Sequence, residues 1–328
     1  MQEQTKRHSY LLHLLGVRQV VVVINKMDLT SFAQSRYQEL SKHIRHYLSE
    51  LGLDLQHTQI IPVSARDGDN IVTRSKRMHW YEGPTLAESL DGVRQPVSVL
   101  EMPLRLPVQD VYKFDDRRII AGRIETGQLR LGDTLLFSPS NKTARVASIE
   151  AWNVRTPPIA ARAGQSIGIT LDEQLFIERG EVASLLASPP TLSNVFRGRM
   201  FWLGRASLRV GKRYKMKLCT AEYAVEVQAI ERVIDVSDLG MREAQEVERN
   251  AVAEVVLRAR GLIALDPFDH NMLTGRFVLV EDYDIVGGGL ISMEGYADQR
   301  TTGIKSTNIF MVEHRVPEPD RWRLNGHR

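Results

Sequence analysis

Val20-Val21-Val22-Val23-Ile24-Asn25-Lys26-Met27-Asp28-Leu29 decides how the first part of the chain is read. It begins with β-branched apolar residues at every step, the pattern of a parallel strand covered on both faces. It ends in Asn-Lys-x-Asp, at the carboxyl end of that strand, where open α/β sheets bind ligands. Guanine presents a ring N–H and an exocyclic amine side by side, and one carboxylate, Asp28, accepts from both. Adenine lacks that amine and would leave the carboxylate unpaired, so a site of this kind discriminates strongly. Asn25 is placed to bridge the base and neighbouring loops, and the aliphatic stem of Lys26 to lie along the base face.

The surroundings extend this reading. The pattern predicts a short helix over His8–Leu15 ended by Gly16, a strand over Gln19–Ile24, and a helix capped by Ser31. Leu40, Ile44, Leu48 and Leu51 mark one face of that helix, with Gly52 closing it. "QIIPVSA" (Gln59–Ala65) reads as a second buried strand. It runs into Ser64-Ala65-Arg66, a turn of the Ser-Ala-Lys type, which in GTPases offers backbone N–H groups to guanine O6. "GPTLAESLDGV" (Gly83–Val93) reads as a final helix, with Trp80-Tyr81 as core packing beneath it. Strand, helix, strand, helix is the end of a doubly wound α/β sheet. A phosphate loop needs Gly-x-x-x-x-Gly-Lys-Ser/Thr between a strand and a helix, and the chain holds no such string. Gly211-Lys212 reads as a hairpin turn. No Asp-x-x-Gly element for a γ-phosphate precedes the guanine motif. The base-reading half of a GTPase is legible without the phosphate half, and no catalytic residue and no metal ligand is assigned.

After Arg94 the pattern changes to short alternating strands. Gly127, Gly132, Gly164 and Gly180 fall between apolar pairs at turn spacing, as in a small closed β-barrel. "SPPTLSN" (Ser188–Asn194) reads as a linker, and Val195 to about Tyr296 as a second barrel. From Ala297 the chain is polar, with Pro317 and Pro319. The formal net charge of +3 over 328 residues gives no support to a nucleic-acid-coating surface. The single cysteine, Cys219, excludes an intramolecular disulfide and a Cys-based metal cage and reads as a small core residue in a strand. His8, His13, His43 and His46 read as surface or packing residues. No apolar run approaches a membrane span and no signal-peptide core is present, so no membrane partner and a cytoplasmic location are expected.

These residues resemble a known family. The first segment resembles the latter half of the G domain in elongation factor Tu-type GTPases. "PVSARDGDN", with its Gly68-Asp69-Asn70 turn, followed by Met78, Trp80-Tyr81 and Gly83-Pro84-Thr85-Leu86, is shared by archaeal-type elongation factors and by the GTPase subunit of bacterial sulfate adenylyltransferase. Thr274-Gly275-Arg276-Phe277 and a Gly287-Gly288-Gly289 turn resemble the second barrel of the sulfate enzyme. "LPVQDVYKFDDRRIIAGRIETG" in the first barrel is closer to the elongation factors. "EHRVPEPDRWRLNGHR" (Glu313–Arg328) is similar to the opening of adenylylsulfate kinase, through Asp320, Arg321, Leu324, Asn325, Gly326 and His327; Trp322 departs from the usual pattern.

The fold expected is α/β plus all-β: the C-terminal half of a P-loop-type G domain followed by two elongation factor Tu-like β-barrels. The domains expected are a partial GTP-binding domain over 1–93, a first barrel over 94–190, a second over 191–296, and a linker with the start of a kinase domain over 297–328. The resemblance implies GTP as ligand, with Asn25, Lys26, Asp28, Ser64, Ala65 and Arg66 around the base, and Mg2+ in the complete protein. It implies a small catalytic subunit and a fused adenylylsulfate kinase as partners. The implied activity is sulfate activation driven by GTP hydrolysis, with the chain an incomplete piece that hydrolyses no GTP by itself. A translation factor that binds aminoacyl-tRNA is the alternative.

Overall fold

The structure is a computed structural model and describes residues 3–14, 16–17, 19–51, 58–93, 99–113, 117–151, 156–234, 240–242 and 244–300. Leu15, Gly52, Arg94 and the kinase-like stretch Glu313–Arg328 lie outside them.

The N-terminal segment runs α1 (Glu3–Leu14), β1 (Val21–Ile24), α2 (Gln34–Glu50), β2 (Gln59–Pro62) and α3 (Leu86–Asp91). Helix α1 starts five residues before the apolar pattern announces it, because polar residues such as Glu3 and Lys6 are good helix formers. β1 and β2 pair in parallel, Val22 opposite Ile60. Burial is uneven: Ile60 and Ile61 are buried, whereas Val23 is 39% exposed. The expectation of two covered faces fails at Val23, because β1 has a single neighbour strand among the described residues. Ser31 does not cap α2. It has a left-handed φ of 50° and closes a 3-10 turn over Met27–Thr30, while Ala33 takes the N-cap without a side-chain bond. Thr85 does cap α3, in a reciprocal capping box with Glu88. Trp80 and Tyr81 pack on Tyr37 of α2 and on the cluster of Ile24, Met27, Ile60 and Met78, and the Tyr81 hydroxyl donates to Pro84 O at 3.1 Å, just before α3.

The first barrel takes β3 (Leu106–Lys113), β4 (Arg118–Arg123), β5 (Gln128–Arg130), β6 (Thr134–Ser138), β7 (Lys142–Glu150), β8 (Ala160–Arg162), β9 (Ser166–Leu171) and β10 (Val182–Leu185). Six of these strands close a ring in the order β10-β3-β4-β9-β7-β6 around Leu106, Phe137, Ile149 and Ile169. Gly127, Gly132, Gly164 and Gly180 all have positive φ, from 78° to 95°, the turn conformation that glycine alone adopts without strain.

The second barrel takes β11 (Thr191–Trp202), β12 (Leu208–Arg209), β13 (Arg213–Leu218), β14 (Ala221–Ile234), β15 (Met241–Arg242), β16 (Glu246–Val247), β17 (Val252–Leu265), β18 (Arg276–Glu281) and β19 (Asp284–Ser292). Its ring runs β13-β18-β19-β11-β17-β14 and closes through β13 on β14. Phe196, Met200, Trp202, Leu257 and Phe277 fill it. Three expectations fail here. The expected linker contributes Thr191–Asn194 to β11, so of its residues only Ser188–Pro190 lie between the barrel strands. Gly287–Gly289 is no turn: the three residues lie inside β19, opposite Trp202, Phe201 and Met200. A Cβ at Gly289 would stand 2.7 Å from the Arg199 carbonyl oxygen, and one at Gly287 2.6 Å from Met200 Cε, so only glycine lets this strand approach. Cys219 sits exposed at the β13–β14 hairpin turn with φ 51°, not in the core. Gly211-Lys212 is a turn, with Gly211 at φ 81°.

Two seams join these parts. Between the barrels, buried Arg105 holds buried Asp266 with Nη2 at 2.8 Å and Nε at 2.9 Å, and Thr274 donates to the same carboxylate at 2.6 Å. Between the N-terminal helices and the second barrel, Tyr10, Tyr47, Leu48 and Leu51 pack with Ile234 and Val252. Past β19, Gln299 N–H donates to Leu192 O at 2.7 Å and Arg300 to Pro190 O at 2.6 Å, fastening the chain at the start of β11. Among the described residues no helix is long and apolar enough to cross a membrane.

Candidate functional site

Two loops meet at the carboxyl ends of β1 and β2. Val63 N–H donates to Ile24 O at 2.8 Å and Met27 N–H to Val63 O at 3.1 Å, so the parallel ladder continues into both loops. Met27 is buried and anchors the first loop between Ile24, Ile60 and Met78. Lys26 has a left-handed φ of 66°. This strained backbone for a non-glycine residue turns Asn25 and Asp28 to opposite ends of one short bend.

The predicted residues converge. Asn25 Oδ1 accepts from Lys26 N at 2.7 Å and from Ala65 N at 3.0 Å, joining the loops through one side-chain oxygen. Ser64 is fully buried, and its hydroxyl donates to Asp28 Oδ1 at 2.9 Å. A hydrogen bond to a carboxylate of this kind is worth about 1.5–3 kcal/mol and fixes its orientation. Asp28 Oδ2 faces Arg66 Nη1 at 3.7 Å, with 11% of the Asp28 side chain exposed. One carboxylate edge is thus braced by Ser64 while the group stays reachable. Ala65 and Arg66 are exposed, and so are Asn25 and Lys26. The Ala65 N–H, expected from the resemblance to face a base oxygen, donates here to Asn25.

The Gly68-Asp69-Asn70 turn holds the second loop, with two residues the sequence did not mark, Ser75 and Arg77. Gly68 N–H and Asp69 N–H both donate to Ser64 O, at 2.8 and 3.1 Å. Asn70 is buried; its Nδ2 donates to Pro62 O at 2.9 Å and its Oδ1 accepts from Ser75 N at 2.8 Å. Buried Asp69 accepts from Ser75 Oγ at 2.6 Å and from Arg77 Nη2 at 2.5 Å. Arg66 Nε donates to Asp67 at 2.9 Å; this hydrogen bond holds the Asp67 carboxyl below the usual carboxylate range and raises Arg66 in turn. The Gly68-Asp69-Asn70 string marked the turn, but nothing in the spacing pointed to Ser75 or Arg77. Among the described residues no group of three acid, histidine or cysteine side chains could hold a metal.

Comparison with known proteins fits this geometry. Residues 1–106 match the model of the elongation factor Tu GTP binding domain, and residues 195–292 that of the GTP-eEF1A C-terminal domain-like family. The chain is 35% identical to sulfate adenylyltransferase subunit 1 of Aeromonas hydrophila over 304 residues, 92% of this chain and 63% of that protein. It is 33% identical to the bifunctional enzyme CysN/CysC of Xylella fastidiosa, over 85% of this chain and 44% of that one. Elongation factor 1-alpha of Desulfurococcus mucosus is 36% identical, over 88% of this chain and 67% of its own length. Among solved structures, sup35 complexed with GDP aligns with a TM-score of 0.55 at 24% identity, covering 88% of this chain and 72% of that one. The chain spans less than two thirds of the sulfate adenylyltransferase subunit it matches. With its two converging loops, its two six-stranded rings and these relatives, the chain belongs to the elongation factor Tu-like family of GTPases.

Proposed function

We propose that this chain is part of the GTP-binding subunit of a sulfate adenylyltransferase, with Asn25, Lys26, Asp28, Ser64, Ala65 and Arg66 around the guanine base. The observation that carries the reading is the closure of the two loops onto one carboxylate: Ser64 Oγ on Asp28 at 2.9 Å and Ala65 N on Asn25 at 3.0 Å. Asp28 then accepts the ring N–H and exocyclic amine of guanine, Lys26 lends its stem to the base face, and residues 1–93 act as the GTP-binding unit. The wider identity to sulfate adenylyltransferase subunit 1 supports the choice of substrate. In that reading a small catalytic subunit joins sulfate to ATP, releasing pyrophosphate and forming adenylylsulfate. Hydrolysis of GTP drives that unfavourable step, and a fused kinase transfers a phosphoryl group from a second ATP to the product. The bifunctional relative and the stretch Asp320–His327 support the fusion, and the absence of any membrane-length helix among the described residues fits work in the cytoplasm. The sequence holds no phosphate loop, and among the described residues no group of three acid, histidine or cysteine side chains fits Mg2+.

The test is a titration of the chain with GDP, GTP and ADP. Weak binding of both guanine nucleotides, no binding of ADP, and loss of guanine binding in Asp28→Ala are expected, with no GTP turnover. Nanomolar GDP affinity would contradict a site that holds the base alone. Co-purification with a sulfate adenylyltransferase small subunit supports the substrate assignment; salt-sensitive binding of aminoacyl-tRNA in its place would move it to the translation factors.

A further inference from the structure

We infer that Arg77 is the positioning residue that locks the two base-reading loops into register, an assignment that rests on the guanine reading above. Its guanidinium meets both loops at once. Toward the second loop, Nη2 holds Asp69 at 2.5 Å and Nη1 holds Asp67 at 3.0 Å. Asp69 carries the backbone N–H that closes the turn on Ser64 O, and Asp67 carries the carboxylate that holds Arg66. Toward the first loop, the Arg77 guanidinium stacks on the Phe32 ring with its carbon 4.4 Å from the centroid. Phe32 ends the turn that follows Asp28: its N–H donates to Met27 O at 2.9 Å, and its carbonyl accepts from Trp80 Nε1 at 3.1 Å.

The result is a row of alternating charge, Asp69–Arg77–Asp67–Arg66–Asp28, running from a buried carboxylate to the one that reads the base. Only arginine suits the middle of it. The planar guanidinium forks between two carboxylates in its own plane and keeps a face free for an aromatic ring, whereas a lysine ammonium is a point charge on a flexible stem. Without Arg77, Asp69 keeps Ser75 but loses its counter-charge in a buried position, and the Asp67–Arg66 pair loses its anchor. The second loop then shifts relative to Asp28, although no atom of Arg77 touches the base.

The test uses the whole chain and three nucleotides, GDP, IDP and ADP. IDP carries the ring N–H and O6 of guanine but lacks the exocyclic amine that Asp28 reads. The unsubstituted chain is expected to favour GDP over IDP. Arg77→Ala is expected to lose about tenfold in GDP affinity, the scale of one charge-assisted contact, with its GDP-to-IDP ratio falling toward one. Arg77→Lys should lie between, and serves where Arg77→Ala does not fold. Loss of folded protein alone would lower both affinities equally and leave the ratio untouched. A ratio unchanged in both variants overturns the inference and spares the guanine site. An unsubstituted chain that does not tell GDP from ADP removes the guanine reading itself, and Arg77 with it.

Discussion

The N-terminal strands are almost wholly apolar and those of the second barrel alternate with charged residues, yet it is the barrel that is held by its own ladder. In the barrel, each of six strands has a neighbour on both sides, and the ring closes when β13 pairs with β14. Its backbone groups satisfy one another, and its inward side chains, Phe196, Trp202 and Phe277 among them, need no other domain. In the N-terminal segment, β1 pairs with β2 over four residue pairs and has no other partner among the described residues. A pair of short strands is marginal by itself. The helices supply what the ladder lacks by placing Tyr10, Tyr47 and Leu48 against Ile234 and Val252 of the second barrel. Closure of a ladder makes stability local, while an open ladder draws on whatever packs beside it. The two loops of the candidate site stand on the open one, so their order depends on a barrel that holds none of their residues.

The seams are where this contrast breaks. The largest effect is expected at the seam between the barrels. Asp266→Ala strands the buried Arg105 guanidinium without its counter-charge, which costs about 3–5 kcal/mol. Urea unfolding should split into two steps, because each ring keeps its own core; a single step near the original midpoint would show that the rings hold each other by other means. Leu48→Ala strikes the second seam. It removes a buried side chain from a contact that can partly collapse, at about 2–3 kcal/mol. Amide exchange should quicken across residues 3–93 while β17 and β19 keep their protection. Equal loss in the barrel strands would contradict the claim that the ring stands alone.

The same contrast marks what the sequence makes legible. Closed, turn-punctuated structure is local, and it reads well: four glycines at turn spacing all proved to have positive φ, and α3 lies within the stretch read as the final helix. The misreadings cluster where a partner far along the chain decides. A run of valines looks the same whether one face is covered or bare, so Val23 was placed in a core it does not enter. Gly287–Gly289 read as a turn because glycine signals both bends and close approach, and only the neighbouring Met200 and Arg199 distinguish them. At the candidate site, Asn25 and Asp28 were legible because one short motif of fixed spacing holds both. Arg77 was not, since two carboxylates and a ring at no fixed spacing define it. The Arg105–Asp266 pair, 161 residues apart, left no pattern in the sequence.

The smallest expected effect sharpens the comparison most, because it separates the seam from the barrel by pH alone. His13 on α1 is half-buried, and burial, reinforced by the nearby Arg199 charge, lowers its pKa from the ordinary 6.5. The docked helix therefore favours neutral His13. That contribution is fully present above pH 6.5 and is lost as pH falls through the lowered value. The other groups facing this point are Tyr10, with its ring centroid 6.3 Å from that of His13, and Glu254, which Arg199 holds at 2.9 Å. Burial alone would raise the Glu254 pKa; Arg232 and Arg199 overturn it and bring it below the ordinary 4.5. Its contribution is lost only at more acidic pH, so the two windows do not coincide. Exchange at α1 amides, corrected for the intrinsic rate, should begin to rise below pH 6.5, by at most the tenfold per pH unit that one proton allows. Amides of β17 should stay flat until the carboxylate range. His13→Gln, which binds no proton at any of these pH values, should flatten the first rise and leave the second. A wild-type α1 that exchanges no faster at pH 5 than at pH 7 would mean that the helix is not seated on the barrel, and that the open ladder finds its support elsewhere.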